Sequence, residues 1–429
     1  MSPKLAAVAE RARRDPGARF NSLAHLLDEE ALGRAYERIE GRAAPGVDGV
    51  DKEAYGSKLK ENLRDLHERM RTRRYRHQAI RRVQIPKGPG DTKTRPIGVS
   101  TVEDKIVQGA LTEVLVALYE PVFMPCSYGF RPGRSTHDAI RALDRMLWQE
   151  GVEWIVELDI QSFFDSLDRA RLRAMLEERV ADGSFMRLVG KCLHVGVLSG
   201  EQYSTPDEGT VQGSIISPLL GNVYLHYALD VWFEQEVRPT LEGHARLIRY
   251  ADDAVLGFRR RDDAERVLGM LHDRMAAFGL TLHPAKTRLV RFERPGSVDG
   301  GGPDTFDFLG FTVYWRRTRR GGWRPAMKTR RASVQRFMAN LTDWCRRHRH
   351  RSLAEQHAAL GRRLSGHYRY FGINGNTTSL SNVGHAVERL WYKWLRRRGQ
   401  RGRRWSWDRM RWYLGRFPLP QVRVYVQIW

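Results

Sequence analysis

The sequence predicts an α+β fold in which a short antiparallel sheet carries acidic side chains and a helical unit follows it. Two apolar, β-forming segments flank Asp252 and Asp253, which indicates a β-hairpin with adjacent carboxylates at its tip. Another apolar segment, 154–158, is typical of a buried strand and ends at Asp159. From Ala332 onward the apolar residues recur at helical spacing instead.

The remaining elements follow from the same periodicities. A helix is predicted around Leu59–Met70 and a strand over residues 81–86, and strand and helix patterns alternate through residues 151–315. We expect the later apolar stripes to form the core of three packed helices rather than a cofactor site. These stripes are Val334, Phe337, Met338, Leu341, Trp344 and Cys345; Leu360, Leu364, Tyr368 and Phe371; and Val383, Val387, Leu390, Trp391, Trp394 and Leu395.

The acidic residues indicate a metal site. Neighbouring ionised carboxylates repel each other by roughly 1 to 4 kcal/mol at about 4 Å, depending on the local dielectric. A divalent cation neutralises that repulsion, and oxygen ligands favour Mg²⁺ or Mn²⁺. Asp159, Asp252 and Asp253 match the needs of phosphoryl transfer by two ions about 3.5–4 Å apart. An exposed turn is the alternative for the Asp pair, whereas Asp165 and Asp168 are expected to be helix caps or surface charges.

Seven blocks follow one another in a fixed order, and they are residues 94–98, 127–135, 154–165, 212–222, 250–253, 279–287 and 306–311. In this order they resemble the reverse transcriptase/maturases that bacterial group II introns encode. The resemblance covers residues 30–429 and implies a right-hand polymerase fold, with fingers and palm built from an antiparallel sheet plus helices, and an α-helical thumb. It also implies an RNA-directed DNA polymerase that uses dNTPs, an RNA template and a primer, with two Mg²⁺ ions.

The resemblance suggests four regions along the chain. Residues 1–150 would form an N-terminal extension and the fingers, and residues 151–315 the palm, with elements of the fingers interleaved. Residues 316–384 would form the helical thumb, or maturase X region. Residues 385–429 would form a basic C-terminal segment that binds DNA.

Three basic side chains are assigned to the triphosphate by the resemblance. Lys87 and Arg95 flank a Gly/Pro turn, residues 88–90, and a hairpin of this kind would close over the nucleotide, with Arg as a bidentate fork. Lys286, in the block after the aspartate pair, is a candidate general acid towards pyrophosphate. For all three, a solvated surface charge is the alternative.

The resemblance also assigns side chains to the sugar and base. Phe164 would be the steric gate beneath the sugar and favour dNTPs over NTPs, whereas Phe163 would be core. Gln212 would face the incoming nucleotide and the template base. Ser217 and Pro218 predict a helix start, with Ser217 as N-cap. For Phe164 the alternative is an ordinary core Phe. For the segment from Gln212 to Pro218 the alternative is a plain loop-to-helix junction.

Composition favours a nucleic-acid partner. The chain carries 73 Lys and Arg against 50 Asp and Glu, a formal charge of +23. No apolar run approaches about 20 residues and no signal peptide opens the chain, so no membrane association is expected. Residues 1–19 resemble a transit peptide in composition, but a short solvated helix is favoured. Three scattered cysteines offer neither a disulfide framework nor a Cys₄ zinc site, which favours the bacterial cytosol.

Two basic tracts in the C-terminal third are predicted to bind RNA, because Arg and Trp planes stack on unpaired bases while Arg binds phosphate. A solvated charged edge is the alternative for each tract alone. The arginines are Arg316, Arg317, Arg319 and Arg320 in the first tract and Arg396, Arg397, Arg398, Arg401, Arg403 and Arg404 in the second. Residues 405–429 would contact target DNA. The His and Cys ligands of an endonuclease module are not found in this sequence, since residues 345–350 lack a second Cys pair.

Three functional hypotheses remain open at this stage. The chain is an active polymerase that binds its group II intron RNA and assists splicing and retrohoming, an RNA-binding splicing cofactor with little polymerase use, or a host-adopted enzyme of defence or DNA repair. The intact aspartate set argues against a purely structural protein. The sequence indicates no particular oligomeric state.

Overall fold

The computed structural model describes residues 2–86, 94–199, 202–204, 209, 213–296, 304–399, 402 and 404–429. Within these ranges the helices are α1 (Pro3–Arg14), α2 (Glu29–Glu37), α3 (Lys52–Gly56), α4 (Leu59–Arg71), α5 (Val102–Tyr119), α6 (Thr136–Gln149), α7 (Arg169–Glu177), α8 (Gly183–Leu193), α9 (Ser217–Leu225), α10 (Arg261–Ala277), α11 (Arg331–His348), α12 (Leu353–Phe371), α13 (Thr377–Leu395) and α14 (Trp407–Arg416). Helix α9 continues into π-helical turns at His226–Asp230 and Trp232–Val237, and 3₁₀ turns occupy Ala24–Leu26, Phe163–Asp165 and Arg238–Thr240.

The strands form three sheets. They are β1 (Ile80–Pro86), β2 (Thr94–Val99), β3 (Trp154–Leu158), β4 (Val197–Ser199), β5 (Gln202–Ser204), β6 (Ala245–Tyr250), β7 (Asp253–Phe258), β8 (Arg288–Arg291), β9 (Phe306–Phe308), β10 (Phe311–Arg317) and β11 (Trp323–Thr329). The fingers sheet has the order β2-β1-β4-β5, the palm sheet β6-β7-β3-β8, and the third sheet β11-β10-β9. The palm sheet is antiparallel throughout, as the predicted fold class requires.

The palm sheet is buried on both faces. Successive side chains of a strand point to opposite faces, and those of β3 enter different cores. Val156 packs with the helices that precede and follow β3, whereas Ile155 packs with the third sheet and helices α11–α13. In β7, Leu256 lies in the same core as Val156, and Val255 lies in the same core as Ile155. The sheet that carries the acidic residues is therefore fixed from two sides.

The thumb helices, α11–α13, confirm the helical stripes predicted after Ala332. Leu341 and Cys345 of α11 are buried, and Trp391 of α13 is fully buried with its Nε1 donating to Gln356 Oε1 at 2.9 Å. The buried positions of α13 are Leu380, Val383, Val387, Trp391, Trp394 and Leu395. The helical part begins at Arg331, and strands β10 and β11 bring the chain to it from the palm.

Two local predictions were wrong. The N-terminal helix is not merely solvated, because α1 buries Leu5, Ala9 and Ala12 and packs against α5. Ser217 is the first residue of α9 and not its N-cap, which is Ile216, without a capping side chain. Asp168, by contrast, caps α7 as expected, accepting from Arg171 N at 3.0 Å. None of the helices in the described ranges combines the length and apolar character that a membrane crossing requires.

Candidate active site

A tight connection between β6 and β7 holds Asp252 and Asp253 at the end of the palm sheet. Tyr250 pairs with Asp253, so only Ala251 and Asp252 link the two strands, and the predicted hairpin is confirmed. Ala251 has a φ of 57°, in the left-handed region that non-glycine residues seldom adopt. Gly129 lies so close that a Cβ on it would be 2.4 Å from the Ala251 nitrogen. The turn therefore depends on a glycine in a distant segment.

Asp159 reaches the same end of the sheet from β3. The register pairs Leu158 with Ala254, so the next residues along, Asp159 and Asp253, are neighbours across the two strands. All three aspartates line one cavity of about 1300 Å³. The structure thus brings together the carboxylates selected from the sequence, and their catalytic role stays a prediction.

Burial and mutual repulsion raise the pKa values of the hairpin carboxyl groups. Desolvation, followed by the charges of Asp252 and Asp159, raises the pKa of Asp253 from 3.8 to about 6. The pKa of Asp252 is also raised, chiefly by desolvation and further by Asp159, while Arg95 acts in the opposite direction. Asp253 is surrounded by protein atoms and yet open to the cavity, so its charge is poorly solvated on one side and reachable from the other.

These carboxylates fit a hard divalent cation. Carboxylate oxygens are the ligands that Mg²⁺ prefers, and a cation would relieve the repulsion that raises the pKa of Asp253. Lys286 supplies part of that compensation, since its Nζ lies 2.9 and 3.1 Å from the two Asp159 oxygens. In the described ranges no three His, Cys, Asp or Glu side chains are already arranged as a cation site. A cation bound by Asp159 would have to share that carboxylate with the lysine or displace it.

A buried ion pair supports the hairpin from behind. Arg249 is fully buried and donates from Nε and Nη2 to both oxygens of Asp230, at 2.7 and 2.6 Å. Its remaining bonds reach Asn222 Oδ1 and the Ala251 carbonyl, both at 2.9 Å, and Ser127 Oγ at 2.7 Å. One guanidinium therefore ties helix α9, its π-helical continuation and the segment before α6 to the turn at Ala251. The sequence patterns did not indicate this role of Arg249.

The two phenylalanines after Asp159 take different positions. Both line the cavity, but Phe163 is buried in the core and Phe164 is half-buried. Their rings meet edge to face at 5.1 Å. A Cβ on Gly221 of α9 would lie 3.1 Å from the Phe164 ring, so the helix backbone supports that ring. This placement is compatible with the predicted steric gate, which no contact in the structure tests.

The fingers and thumb complete the cavity. Arg95 of β2 lines it, and Lys286 lines it from the segment before β8. Lys87 and Gln212 lie outside the described residues. Sequence reasoning did not select the thumb side chains Arg336, Asn340 and His367, which also line the cavity. Arg336 and Asn340 are four residues apart on α11, and this spacing would have indicated a polar face beside the apolar stripe.

Comparison with known proteins identifies the family. The family model described as "Reverse transcriptase (RNA-dependent DNA polymerase)" matches residues 85–313, which is more than half of the 429 residues. The matched span contains the β6–β7 hairpin and all three aspartates. The chain belongs to this family. Several of its curated relatives are named as intron-encoded proteins or intron maturases.

The reverse transcriptase is similar to several curated proteins. Protein YkfC of Escherichia coli (strain K12) is 31% identical, with 78% of this chain and 94% of YkfC covered. The group II intron-encoded protein LtrA of Lactococcus lactis is 34% identical over 47% of this chain and 33% of LtrA. Nuclear intron maturase 2 of Arabidopsis thaliana is 29% identical over 26% of this chain and 14% of its own length. The chain therefore spans only a third of LtrA.

The predicted RNA-binding tracts of the reverse transcriptase are partly engaged within the protein. Arg317, Arg319 and Arg320 are exposed, and Arg316 is half-buried. Arg396 and Arg397 are exposed but lie over the rings of Tyr392 and Trp394 at 5.8 and 5.2 Å, and Arg404 is exposed. Arg398 is half-buried and donates to the carbonyls of Arg349 and Arg351, so it stabilises the α11–α12 connection. Arg401 and Arg403 lie outside the described residues.

The Asp230→Asn variant should be strongly destabilised. It leaves the Arg249 guanidinium buried beside a neutral amide, and breaking a buried pair in this way costs about 3–5 kcal/mol in free energy of unfolding. Primer extension should also slow, because the turn at Ala251 loses part of its anchor. Urea unfolding and extension rates measure the two effects. In the exposed pair Arg261–Glu265, the control Glu265→Gln should cost less than about 1 kcal/mol, and equal stability of the two variants would contradict the role of the network.

Mg²⁺ should stabilise the reverse transcriptase more at about pH 7.5 than at about pH 5, because cation binding requires deprotonated carboxylates and the pKa of Asp253 is about 6. Without metal, the pH dependence of stability has the opposite sign. Because the pKa of Asp253 is higher in the folded than in the unfolded state, the free energy of unfolding falls as the pH rises from about 4 to about 6. Thermal unfolding with and without Mg²⁺ measures both effects. Asp253→Asn should remove them and Asp262→Asn should not. Equal Mg²⁺ shifts at both pH values would contradict the assignment.

Proposed function

We propose that this reverse transcriptase copies an RNA template into DNA by adding dNTPs to a primer 3′ end with two Mg²⁺ ions, for which Mn²⁺ can substitute. One observation carries the proposal: Asp159, Asp252 and Asp253 meet at the end of the palm sheet in a cavity that the fingers and thumb also line. A cavity of about 1300 Å³ exceeds what a small ligand needs and suits a nucleotide beside a primer-template.

The side chains of the cavity divide the chemistry among them. Held by Asp159, Asp252 and Asp253, the two ions would activate the primer 3′-hydroxyl and neutralise the charge that develops on pyrophosphate. Arg95 would bind the triphosphate through its planar fork of donors. Lys286, released from Asp159, would donate a proton from Nζ to the departing pyrophosphate oxygen. Phe164 would pack beneath the deoxyribose, where a 2′-hydroxyl has no room.

We further propose that the chain binds a group II intron RNA, assists its splicing, and acts on target DNA in retrohoming. The relative LtrA is named as a group II intron-encoded protein and the Arabidopsis relative as a nuclear intron maturase. The net charge of +23 and the exposed arginines of the two tracts supply the phosphate-binding surface that such a partner requires.

Loss of a catalytic carboxylate should abolish polymerisation without abolishing RNA binding. Asp252→Ala and Asp159→Ala each remove an oxygen ligand from the cation site, whereas RNA affinity depends on the distributed basic surface. Primer extension on an RNA template and filter binding to the same RNA separate the two. Asp168→Asn, at the α7 cap, is the matched control and should extend primers normally. Near wild-type extension by either alanine variant would refute the mechanism.

The identity of residue 164 should set the choice of sugar. Phe164→Val vacates the contact beneath the 2′ position, so ribonucleotide incorporation relative to dNTP should rise by about 10-fold or more. Competition assays with paired NTP and dNTP measure this ratio. Phe163→Leu, which changes the buried neighbour, should alter stability but leave the ratio unchanged. Unchanged discrimination in Phe164→Val would show that the ring is not the gate.

A further inference from the structure

A second large cavity lies apart from the active site, and its charged lining residues are all basic. Its volume is about 1060 Å³, and it lies between the turn that follows α4 and the helices α7 and α8. None of its lining residues lines the active-site cavity. We call it the basic cavity. Its Arg and Lys residues are Arg73, Arg74, Arg76, Arg173, Arg187 and Lys191.

The wall of the basic cavity carries little negative charge to balance its cations. Two histidines line it too, and among the described residues no Asp or Glu side chain does. Arg173 pairs with Glu177 along its own helix, at 2.8 Å. Within the described structure, the Nε of Arg187 is buried and has no hydrogen-bond partner. Burial and the neighbouring arginines lower the pKa of Arg187 and of Lys191, which is the electrostatic strain that a bound anion would relieve.

The lining also indicates which part of an anionic partner would be recognised. A single strand is commonly held by large aromatic rings on which its bases stack. The lining of the basic cavity includes no Phe, Tyr or Trp, because Tyr75 beside it is completely buried. The active-site cavity, in contrast, is lined by Phe164, Tyr250 and Phe337. A wall of Arg, Lys and His that lacks these large rings suits phosphates whose bases are already paired.

The position of the basic cavity separates it from the primer terminus. Gly196 lines it and accepts from Ile80 N at 2.9 Å, at the first residue of β1. The other end of the β1–β2 hairpin carries Arg95 into the active-site cavity, where Thr94 pairs with Pro86. Seven residues of strand separate the two ends, which is about 20 Å.

We propose that the basic cavity is a second nucleic-acid site that binds the phosphate backbone of a double-stranded RNA segment, outside the primer-template held at the aspartates. Arg73, Arg74 and Arg76 project from one exposed turn towards one backbone. Arg187 and Lys191 of α8 form the opposite wall. The turn itself is fixed, since Arg73 has a φ of 64° and Lys191 Nζ donates to the Tyr75 carbonyl.

The test is a pair of salt titrations on the full-length protein with a hairpin RNA that has no free 3′ primer end. The triple variant Arg73→Gln, Arg74→Gln, Arg76→Gln removes up to three phosphate contacts. The slope of log K against log salt should fall by up to about 0.9 per contact, or roughly 2 to 3 in total. The matched control replaces Arg13, Arg14 and Arg259 with Gln, an equal loss of charge at exposed positions outside both cavities.

Three further measurements make the outcome decisive. Primer extension on a short saturating primer-template should be unchanged in the triple variant. Because this assay reports polymerase activity and the salt titration reports binding at the basic cavity, the two proposals can fail independently of each other. Arg187→Gln alone should lower the slope by about 0.9. Binding of an unstructured single strand of equal length should change no more than in the control. Equal slopes for the triple variant and the control on the hairpin, or an equal loss of slope on the single strand, would overturn the proposal.

Discussion

The ion pair between Arg249 and Asp230 is the constraint on which the aspartate-bearing end of the palm sheet depends. A buried pair gains little by itself, because desolvation opposes the attraction of the charges. Here every remaining donor is used to hold other segments, including the Ala251 carbonyl at 2.9 Å and Ser127 Oγ at 2.7 Å. The left-handed conformation of Ala251 costs about 1–2 kcal/mol. The network offsets that cost and keeps the two hairpin carboxylates in one orientation.

The same end of the sheet concentrates charge that the fold alone does not favour. Desolvation and repulsion raise the pKa of Asp253 to about 6, and among the described residues only Asp159 of the three carboxylates has a direct ammonium partner, in Lys286. A protein selected for stability alone would replace such residues. Their retention on a sheet supported from both faces follows the general pattern in which the strain of a functional site is compensated by well-packed structure elsewhere.

Sequence patterns predicted those features that depend on local periodicity. The hairpin around Asp252, the strand that ends at Asp159 and the thumb helices all follow from spacings of two or about 3.6 residues. The Arg249–Asp230 pair could not be predicted, because Asp230 lies in a π-helical turn that no such period describes. The basic cavity was missed for a related reason. The residues that line it come from segments far apart in the chain, and only tertiary packing brings them together.

Ile155 and Val156 are adjacent in β3 yet belong to different hydrophobic cores. Functional regions and folding units therefore do not coincide in this chain. A fragment that ended before α11 would uncover the part of the second core that α11–α13 close, at about 1.5–3 kcal/mol for each apolar side chain exposed. The thumb in this sense shares one hydrophobic core with the palm. Recombination that exchanged it between related enzymes would succeed only where the inner surface of the new thumb matched the back of the sheet.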